Sequence, residues 1–160
     1  MRRSFLAIPA AAIAFAGSAA AAPSWVVTLD GTAGVVPGMS VSQVAAAWGI
    51  PVRAVPALCS VVPIQSGRLR GRAMFRNGKL DAIFFDRGVT TPSGITIGST
   101  ADTLQQIYGR KLESMPGSHY FFLTRHTAPH WQLRFDTDKS DRVVQIGFGG
   151  PAVQIVAGCA

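Results

Sequence analysis

Four arginines in one short run are the residues best suited to binding chemistry. They are Arg68, Arg70, Arg72 and Arg76. Leu69, Ala73 and Phe75 lie between them, so an extended strand would place the arginines on one face, along about 25 Å. The guanidinium fork matches carboxylate and phosphate groups. We predict that this arginine stripe binds an anionic partner; the alternative is a solvated outer face that prevents edge pairing of a sheet.

Residues suited to catalysis or metal binding do not form a recognisable set. Three histidines occur close together: His119, His126 and His130. Pro129 argues against a helix that would bring two of them to one face. Asp136, Asp138 and Asp141 fall in one predicted hairpin loop that lacks the glycine and the final glutamate of an EF-hand, and a polar turn explains them better. Ser40 lacks the second glycine of a nucleophile elbow. We predict no cofactor, no metal and no enzyme activity; a small hydrolase is the less favoured alternative.

The first 21 residues have the pattern of a cleaved signal peptide. Arg2 and Arg3 precede an apolar run over residues 5–16, and small residues follow at 17–21. The apolar run is too short to span a bilayer, and no cysteine follows it to carry a lipid anchor. We predict export to a periplasm or to the medium, with no transmembrane segment in the mature chain.

The net charge of the chain indicates which kind of partner it could bind. The chain has 15 basic and 8 acidic residues, a net charge of +7, and loss of Arg2 and Arg3 with the leader would leave +5. A basic chain suggests nucleic acid first, but export argues against it. We therefore expect an unknown protein or an anionic envelope component as the partner, and no nucleic acid.

Cys59 and Cys159 are the only two cysteines. In an exported protein the pair is expected to be oxidised, and only one intramolecular pairing exists. Closing a loop of about 100 residues would stabilise the fold by up to about 4–5 kcal/mol. The alternative, a reactive thiol, lacks a Cys-x-x-Cys spacing or a nearby histidine. We predict a structural disulfide between Cys59 and Cys159.

A similar motif occurs twice, 60 residues apart, at residues 38–49 and 98–109. Both copies begin with Gly, have a hydroxyl residue two positions later, and end in an aromatic residue followed by Gly. Ser40 with Gln43 predicts a capping box, and Thr100 is the equivalent N-cap. Each copy therefore predicts a short amphipathic helix that must pack on a sheet.

Segments with strand character follow both helices. Asn77-Gly78 predicts a hairpin between the arginine run and residues 80–85. Residues 119–125, 131–135 and 142–148 predict three more strands, residues 25–29 an edge strand and residues 152–156 a last one. The sequence thus predicts an α+β fold: two tandem copies of a short helix followed by an antiparallel β-meander, packed as one domain. The predicted divisions are 1–21, 22–90 and 91–160.

The motif Gly-Met-Ser-x-x-Gln-Val-x-x-x-Trp-Gly at residues 38–49 resembles the opening of SmpA/OmlA-type small envelope modules and of the tandem-repeat β-lactamase inhibitory proteins. The resemblance implies an exported protein with two helix-plus-sheet units and a protein-binding sheet face. Known inhibitors of this type close each repeat with its own disulfide, whereas here one bond would join Cys59 to Cys159. The resemblance implies neither β-lactamase as a target nor any inhibitory residue.

Together these observations predict an exported, non-enzymatic binding module. It would bind a protein, in an inhibitor-like manner, through its sheet face and hairpin loops. The alternative is an envelope-structural protein that rests on anionic lipid or wall polymer through the arginine stripe, an association that salt would weaken steeply.

Overall fold

The computed structural model describes residues 25–51, 58–114 and 116–154. These residues are mostly β-structure, with two short helices. The strands are β1 (Trp25–Thr28), β2 (Gly31–Thr32), β3 (Cys59–Ser66), β4 (Leu69–Arg76), β5 (Lys79–Arg87), β6 (Val89–Thr90), β7 (Glu113–Ser114), β8 (Tyr120–Thr124), β9 (Gln132–Thr137) and β10 (Val143–Gly149). The helices are α1 (Val41–Trp48) and α2 (Ala101–Tyr108), and short 3₁₀ helices cover Gly109–Lys111 and Pro151–Gln154.

The strands form two sheets. Seven strands make one antiparallel sheet in the order β3-β4-β5-β10-β9-β8-β7. The smaller sheet has the order β2-β1-β6, in which β1 pairs antiparallel with β2 and parallel with β6. Within the large sheet, β5 pairs directly with β10, and Phe85 lies opposite Ile146.

The predicted α+β fold of two helix-plus-meander copies is wrong, because the strands that follow the two helices form one continuous sheet. Strand β5 is buried on both faces: Ile83 and Phe85 pack on one side, Ala82 and Phe84 on the other. A strand buried in this way belongs in the interior of a sheet. Strand β10 supplies its second neighbour, so the two sets of strands merge, and each helix has only 8 residues.

Two strand predictions also need correction, and two domain predictions remain open. The segment predicted as an edge strand, residues 25–29, contains β1, which is the middle strand of the small sheet. Residues 151–154, which overlap the predicted last strand, form a 3₁₀ helix. The predicted signal peptide at 1–21 lies outside the described residues. The predicted division between residues 90 and 91 stays a prediction.

The local signals around both helices are confirmed. The backbone N–H of Gln43 donates to Ser40 Oγ (3.3 Å), and the N–H of Ser40 donates to Gln43 Oε1 (2.8 Å), which completes the capping box. Thr103 N–H donates in the same way to Thr100 Oγ1 (3.2 Å). Gly49 ends α1 with a φ of 63°, the left-handed conformation that favours glycine.

The large sheet buries apolar side chains on both faces. The main core lies on the face covered by the helices and contains Val44 and Trp48 from α1 and Leu104 from α2. A second, smaller cluster lies on the opposite face. Its buried members are Met74, Ala82, Phe84, Phe122 and Val153. The last of these comes from the 3₁₀ helix after β10, which therefore covers part of the second face.

Candidate binding surface

Strand β4 carries the arginine stripe in the predicted alternation. Leu69, Ala73 and Phe75 are buried in the main core. Arg70, Arg72 and Arg76 alternate with them and so lie on the opposite face of the sheet, beside the second cluster. The predicted fourth member, Arg68, is exposed in the turn before the strand. The stripe on the sheet therefore has three members.

Two of these arginines are ion-paired with the neighbouring strand. Arg70 Nε lies 2.6 Å from Asp86 Oδ1, and Arg76 Nε lies 3.0 Å from Asp81 Oδ2. Both arginine side chains remain about half exposed, so water screens the pairs and each stabilises the fold little. The main effect of the ion pairs is on side-chain position, because each carboxylate holds a guanidinium group against β5.

Arg72 has a different environment. Its guanidinium carbon lies 5.1 Å from the centre of the Phe84 ring, and Nη2 donates to Gln145 Oε1 (3.3 Å). Among the described residues it forms no direct ion pair with a carboxylate, although its charge acts on the carboxylate of Asp136. A cation over an aromatic face keeps its charge while the ring restricts its position. Arg72 is thus a preorganised, partly buried cation at the centre of the stripe.

The position of Phe84 depends on a glycine in the next strand. Gly147 lies directly opposite Phe84 in the β5–β10 pair. A Cβ atom at Gly147 would lie 2.6 Å from Phe84 Cδ1, closer than real Cβ atoms approach. The missing side chain leaves the space that the Phe84 ring occupies, and the ring in turn supports Arg72.

Strand β3 extends this surface to the edge of the sheet. Gln65 lies opposite Arg70, Pro63 opposite Arg72 and Val61 opposite Met74. All three β3 side chains are exposed, Val61 to 46%. Cross-strand partners share a face, so apolar and polar groups flank the arginines. We call the surface formed by Val61, Pro63, Gln65, Arg70, Arg72 and Arg76 the stripe face.

Sequence reasoning missed Arg134, the most buried charged residue described. Its side chain is 2% exposed, and Nε lies 2.5 Å from Asp136 Oδ1. Nη1 donates to the carbonyl oxygens of Val153 (3.0 Å) and Gln154 (3.1 Å). The signal was present: Arg134 and Asp136 alternate with buried Leu133 and Phe135, so both point to the second face.

Burial changes the acidity of the partner carboxylate. Loss of hydration raises the pKa of Asp136 above its ordinary 3.8. The hydrogen bond and charge of Arg134, and to a smaller extent the charge of Arg72, oppose that rise without cancelling it. Asp138, in the loop that follows, behaves in the opposite way. Backbone N–H groups of Arg142 and Ser140 donate to its carboxylate and lower its pKa. The predicted polar turn is confirmed at Asp138, whereas Asp136 belongs to β9.

The other predicted sites are placed as follows. Cys59 begins β3 and packs beside the second cluster. Cys159 lies outside the described residues, so the disulfide stays a prediction. His119, His126 and His130 are exposed, and His126 Nε2 lies 3.6 Å from Glu113 Oε1.

Residues 25–51, 58–114 and 116–154 contain no helix that is long and apolar enough to cross a membrane. Within the same ranges no three His, Cys, Asp or Glu side chains are grouped so that they could hold a metal ion.

No protein-family model matches the chain, and no curated protein matches it. Among solved structures, it is similar to a cysteine-rich secretory protein (SAV1118) from Staphylococcus aureus, with 10% identity, a TM-score of 0.47, and coverage of 72% of this chain and 45% of that one. It is also similar to a DUF4309 family protein (YjgB) from Bacillus subtilis, with 14% identity, a TM-score of 0.48, and coverage of 76% and 84%. The chain thus spans less than half of the Staphylococcus protein. The resemblance of residues 38–49 to inhibitor and envelope modules stays a prediction.

Proposed function

We propose that this chain is an exported, non-enzymatic binding module that binds an acidic surface of another protein through the stripe face. The observation that carries the proposal is the position of Arg72. It is a cation held over Phe84 at the centre of the stripe, and among the described residues it forms no direct ion pair. Its charge also reaches the carboxylate of Asp136, where it opposes the rise in pKa. Arginine is enriched among the residues that dominate protein interfaces, where it binds carboxylates and stacks on rings.

The charge around Arg72 supports an acidic partner. Residues 68–87, which include β4 and β5, contain six basic side chains and two acidic ones. Both acids, Asp81 and Asp86, are already paired with stripe arginines. A patch of one sign accelerates association with a partner of the opposite sign and disfavours wrong partners.

The apolar part of the stripe face favours a protein over a lipid surface or wall polymer. Val61 and Pro63 are exposed beside the arginines, so the surface can bury carbon atoms as well as neutralise charge. Arg70 and Arg76 are fixed by their ion pairs. Binding to a polyanion by charge alone needs no such fixed geometry, whereas protein recognition benefits from it.

Affinity capture with matched variants tests this function. The full chain is expressed so that any leader is processed, and the product is immobilised and exposed to culture medium and envelope extract of the source organism. We expect a protein that is retained by the wild type and at least about tenfold less by Arg72→Glu, since one charge reversal at an interface centre costs more than 1.4 kcal/mol. Lys139→Glu, in the exposed loop after β9, is the matched control and should retain the partner.

Direct binding measurements then distinguish a protein partner from an anionic lipid surface or wall polymer. The captured protein should bind the wild type with an affinity that falls moderately with salt. Equal retention by the wild type and Arg72→Glu would overturn the proposal. The proposal would also be overturned if the wild type sedimented with anionic phosphatidylglycerol vesicles or wall fragments and Arg72→Glu did not. This result would indicate the envelope-structural alternative.

The exported location rests on residues 1–21, which lie outside the described residues. Its test is independent of binding. Mass spectrometry of the product recovered outside the cytoplasm should find a chain that begins at Ala22. Recovery of the intact chain only from the cytoplasm would contradict this part of the proposal.

A further inference from the structure

A cavity of about 530 Å³ lies beneath the end of α2, away from the stripe face. Its walls include Leu29, from the turn after β1, Tyr108, from the end of α2, and Leu123, from β8. Its rim includes Arg110 and Lys111, from the 3₁₀ helix that follows α2. We call it the α2–β8 cavity. Its size is within the range of small-molecule sites in proteins.

Tyr108 and the turn that carries Leu29 are held in place by contacts with the surrounding structure. The Tyr108 hydroxyl donates to Thr91 Oγ1 (3.1 Å), and the Tyr108 ring packs against Phe135 with centres 5.7 Å apart. The turn that carries Leu29 is held by an ion pair between its neighbour Asp30 and Arg125. The walls are therefore preformed, which reduces the ordering that a ligand would have to induce.

The rim has an excess of positive charge. Arg110 and Lys111 are exposed, and neither forms an ion pair with another described residue. The acid on the rim, Glu113, faces His126 instead, with 3.6 Å between Oε1 and Nε2. Two cations with no described acidic partner thus stand beside an apolar recess.

We propose that the α2–β8 cavity binds a small amphiphilic anion. An aliphatic chain would lie against Leu29, Tyr108 and Leu123, and an anionic head group would lie between Arg110 and Lys111. Apolar area drives the binding of the chain, and the two cations select a charged head group over a neutral one. This site is distinct from the stripe face and does not depend on the function proposed for it.

Titration calorimetry with sodium octanoate, below its micelle concentration, tests the inference on the full chain. Octanoate should bind, and hexanoate should bind about tenfold more weakly because two buried methylene groups are lost. Acetate, which has the head group alone, should give no binding. Octanol, which has the chain alone, should bind more weakly than octanoate.

Variants locate the site. Arg110→Gln and Lys111→Gln should each weaken octanoate binding about threefold, as expected for an exposed charge pair, while Lys139→Gln leaves it unchanged. Leu29→Trp, at a half-buried position, should fill the recess and abolish binding. Amide chemical shifts of Leu29 and Leu123 should move with octanoate. No binding at millimolar octanoate, equal binding of octanol, or equal binding by the Leu29→Trp variant would each overturn the proposal.

Discussion

The guanidinium carbon of Arg134 lies 4.4 Å from the centre of the Tyr120 ring, on the face of the sheet opposite the helices. The same guanidinium group bonds Asp136 and the carbonyl oxygens of Val153 and Gln154. It therefore links β8, β9 and the 3₁₀ helix after β10. Burial of a cation is costly, and these partners replace the hydrogen bonds that water would otherwise make to the guanidinium group.

Removing Arg134 is expected to destabilise the fold strongly. Arg134→Met would leave the carboxylate of Asp136 partly buried without its counter-ion, which typically costs about 3–5 kcal/mol. Arg134→Met/Asp136→Leu should recover part of that loss, since the unpaired charge is gone. Urea unfolding gives the free energies, and Arg68→Met, in an exposed turn, should change stability by less than about 0.5 kcal/mol. A double variant less stable than Arg134→Met would contradict this account.

The ionisation of Asp136 predicts an unusual pH dependence. Because burial raises the pKa of Asp136 above 3.8, the folded protein holds this proton more tightly than the unfolded chain does. The stability that comes from this proton is fully present below about pH 3.8 and is lost as pH rises through the raised pKa. Asp136→Asn cannot titrate, so the free energy of unfolding of the wild type should fall relative to that of the variant over this window.

Urea unfolding of both proteins between pH 3 and pH 7 measures this difference, in which the titration of all other groups cancels. Asparagine keeps an oxygen that can accept the bond from Arg134 Nε, so the comparison isolates the charge. A wild type that gains stability relative to the variant as pH rises would mean that attraction to Arg134 outweighs the loss of hydration.

Substitution of Gly147 should disturb the support of Arg72. In Gly147→Ala the new methyl group would meet Phe84 Cδ1 at 2.6 Å, and overpacking of this kind costs about 1–3 kcal/mol. Thermal unfolding measures the loss. The control is Gly150→Ala, where the nearest atom, Asp81 Oδ1, would be 3.6 Å away and the contact is ordinary. Equal melting temperatures for the two variants would show that the Phe84 ring moves freely.

The features that sequence predicts well are those set by neighbouring residues. Asn77 and Gly78 have positive φ values of 51° and 71° in the turn between β4 and β5, as the Asn-Gly hairpin signal requires. The capping box of Ser40 and Gln43 involves atoms three residues apart. The alternation of buried and outward-facing side chains along β4 follows from the geometry of a strand alone. Each of these signals is complete within a few positions of the chain.

The arrangement of the sheet could not be predicted in this way. The pairing of Phe85 with Ile146, which merges the two sets of strands, joins residues 61 positions apart. The central residues of both strands are buried, among them Ile83 and Phe85 in β5 and Ile146 and Phe148 in β10. Their composition therefore indicates burial but not the identity of the neighbour. The same applies to the parallel pair of Trp25 with Val89 in the small sheet.

The candidate surface could be predicted only in part, for the same reason. Arginine positions on one strand follow from alternation, but their partners Asp81 and Asp86 come from the next strand. The register that selects these partners includes two irregularities in the β4–β5 pair. Sequence spacing alone therefore predicted a stripe of four arginines on one face, whereas the structure ion-pairs two of them with β5 and places Arg68 in a turn.

The disulfide between Cys59 and Cys159 stays a prediction, and the placement of Cys59 shows how it can be tested. Cys59 packs beside the second cluster, and Val153, six residues before Cys159, is a buried member of the same cluster. Six extended residues span up to about 20 Å, so the end of the chain starts from the face on which Cys59 lies. Peptide mapping without reductant should therefore find a Cys59–Cys159 linked pair in protein exported from cells.

Loss of this bond should destabilise the fold by up to about 4–5 kcal/mol, because the unfolded chain would no longer be held in a loop of about 100 residues. Cys59→Ser and Cys59→Ser/Cys159→Ser should therefore be equally destabilised, and reductant should lower the melting temperature of the wild type alone. The double variant controls for the serine substitutions themselves. If both thiols of the exported, unreduced protein react with an alkylating agent before unfolding, the bond does not form and this prediction is wrong.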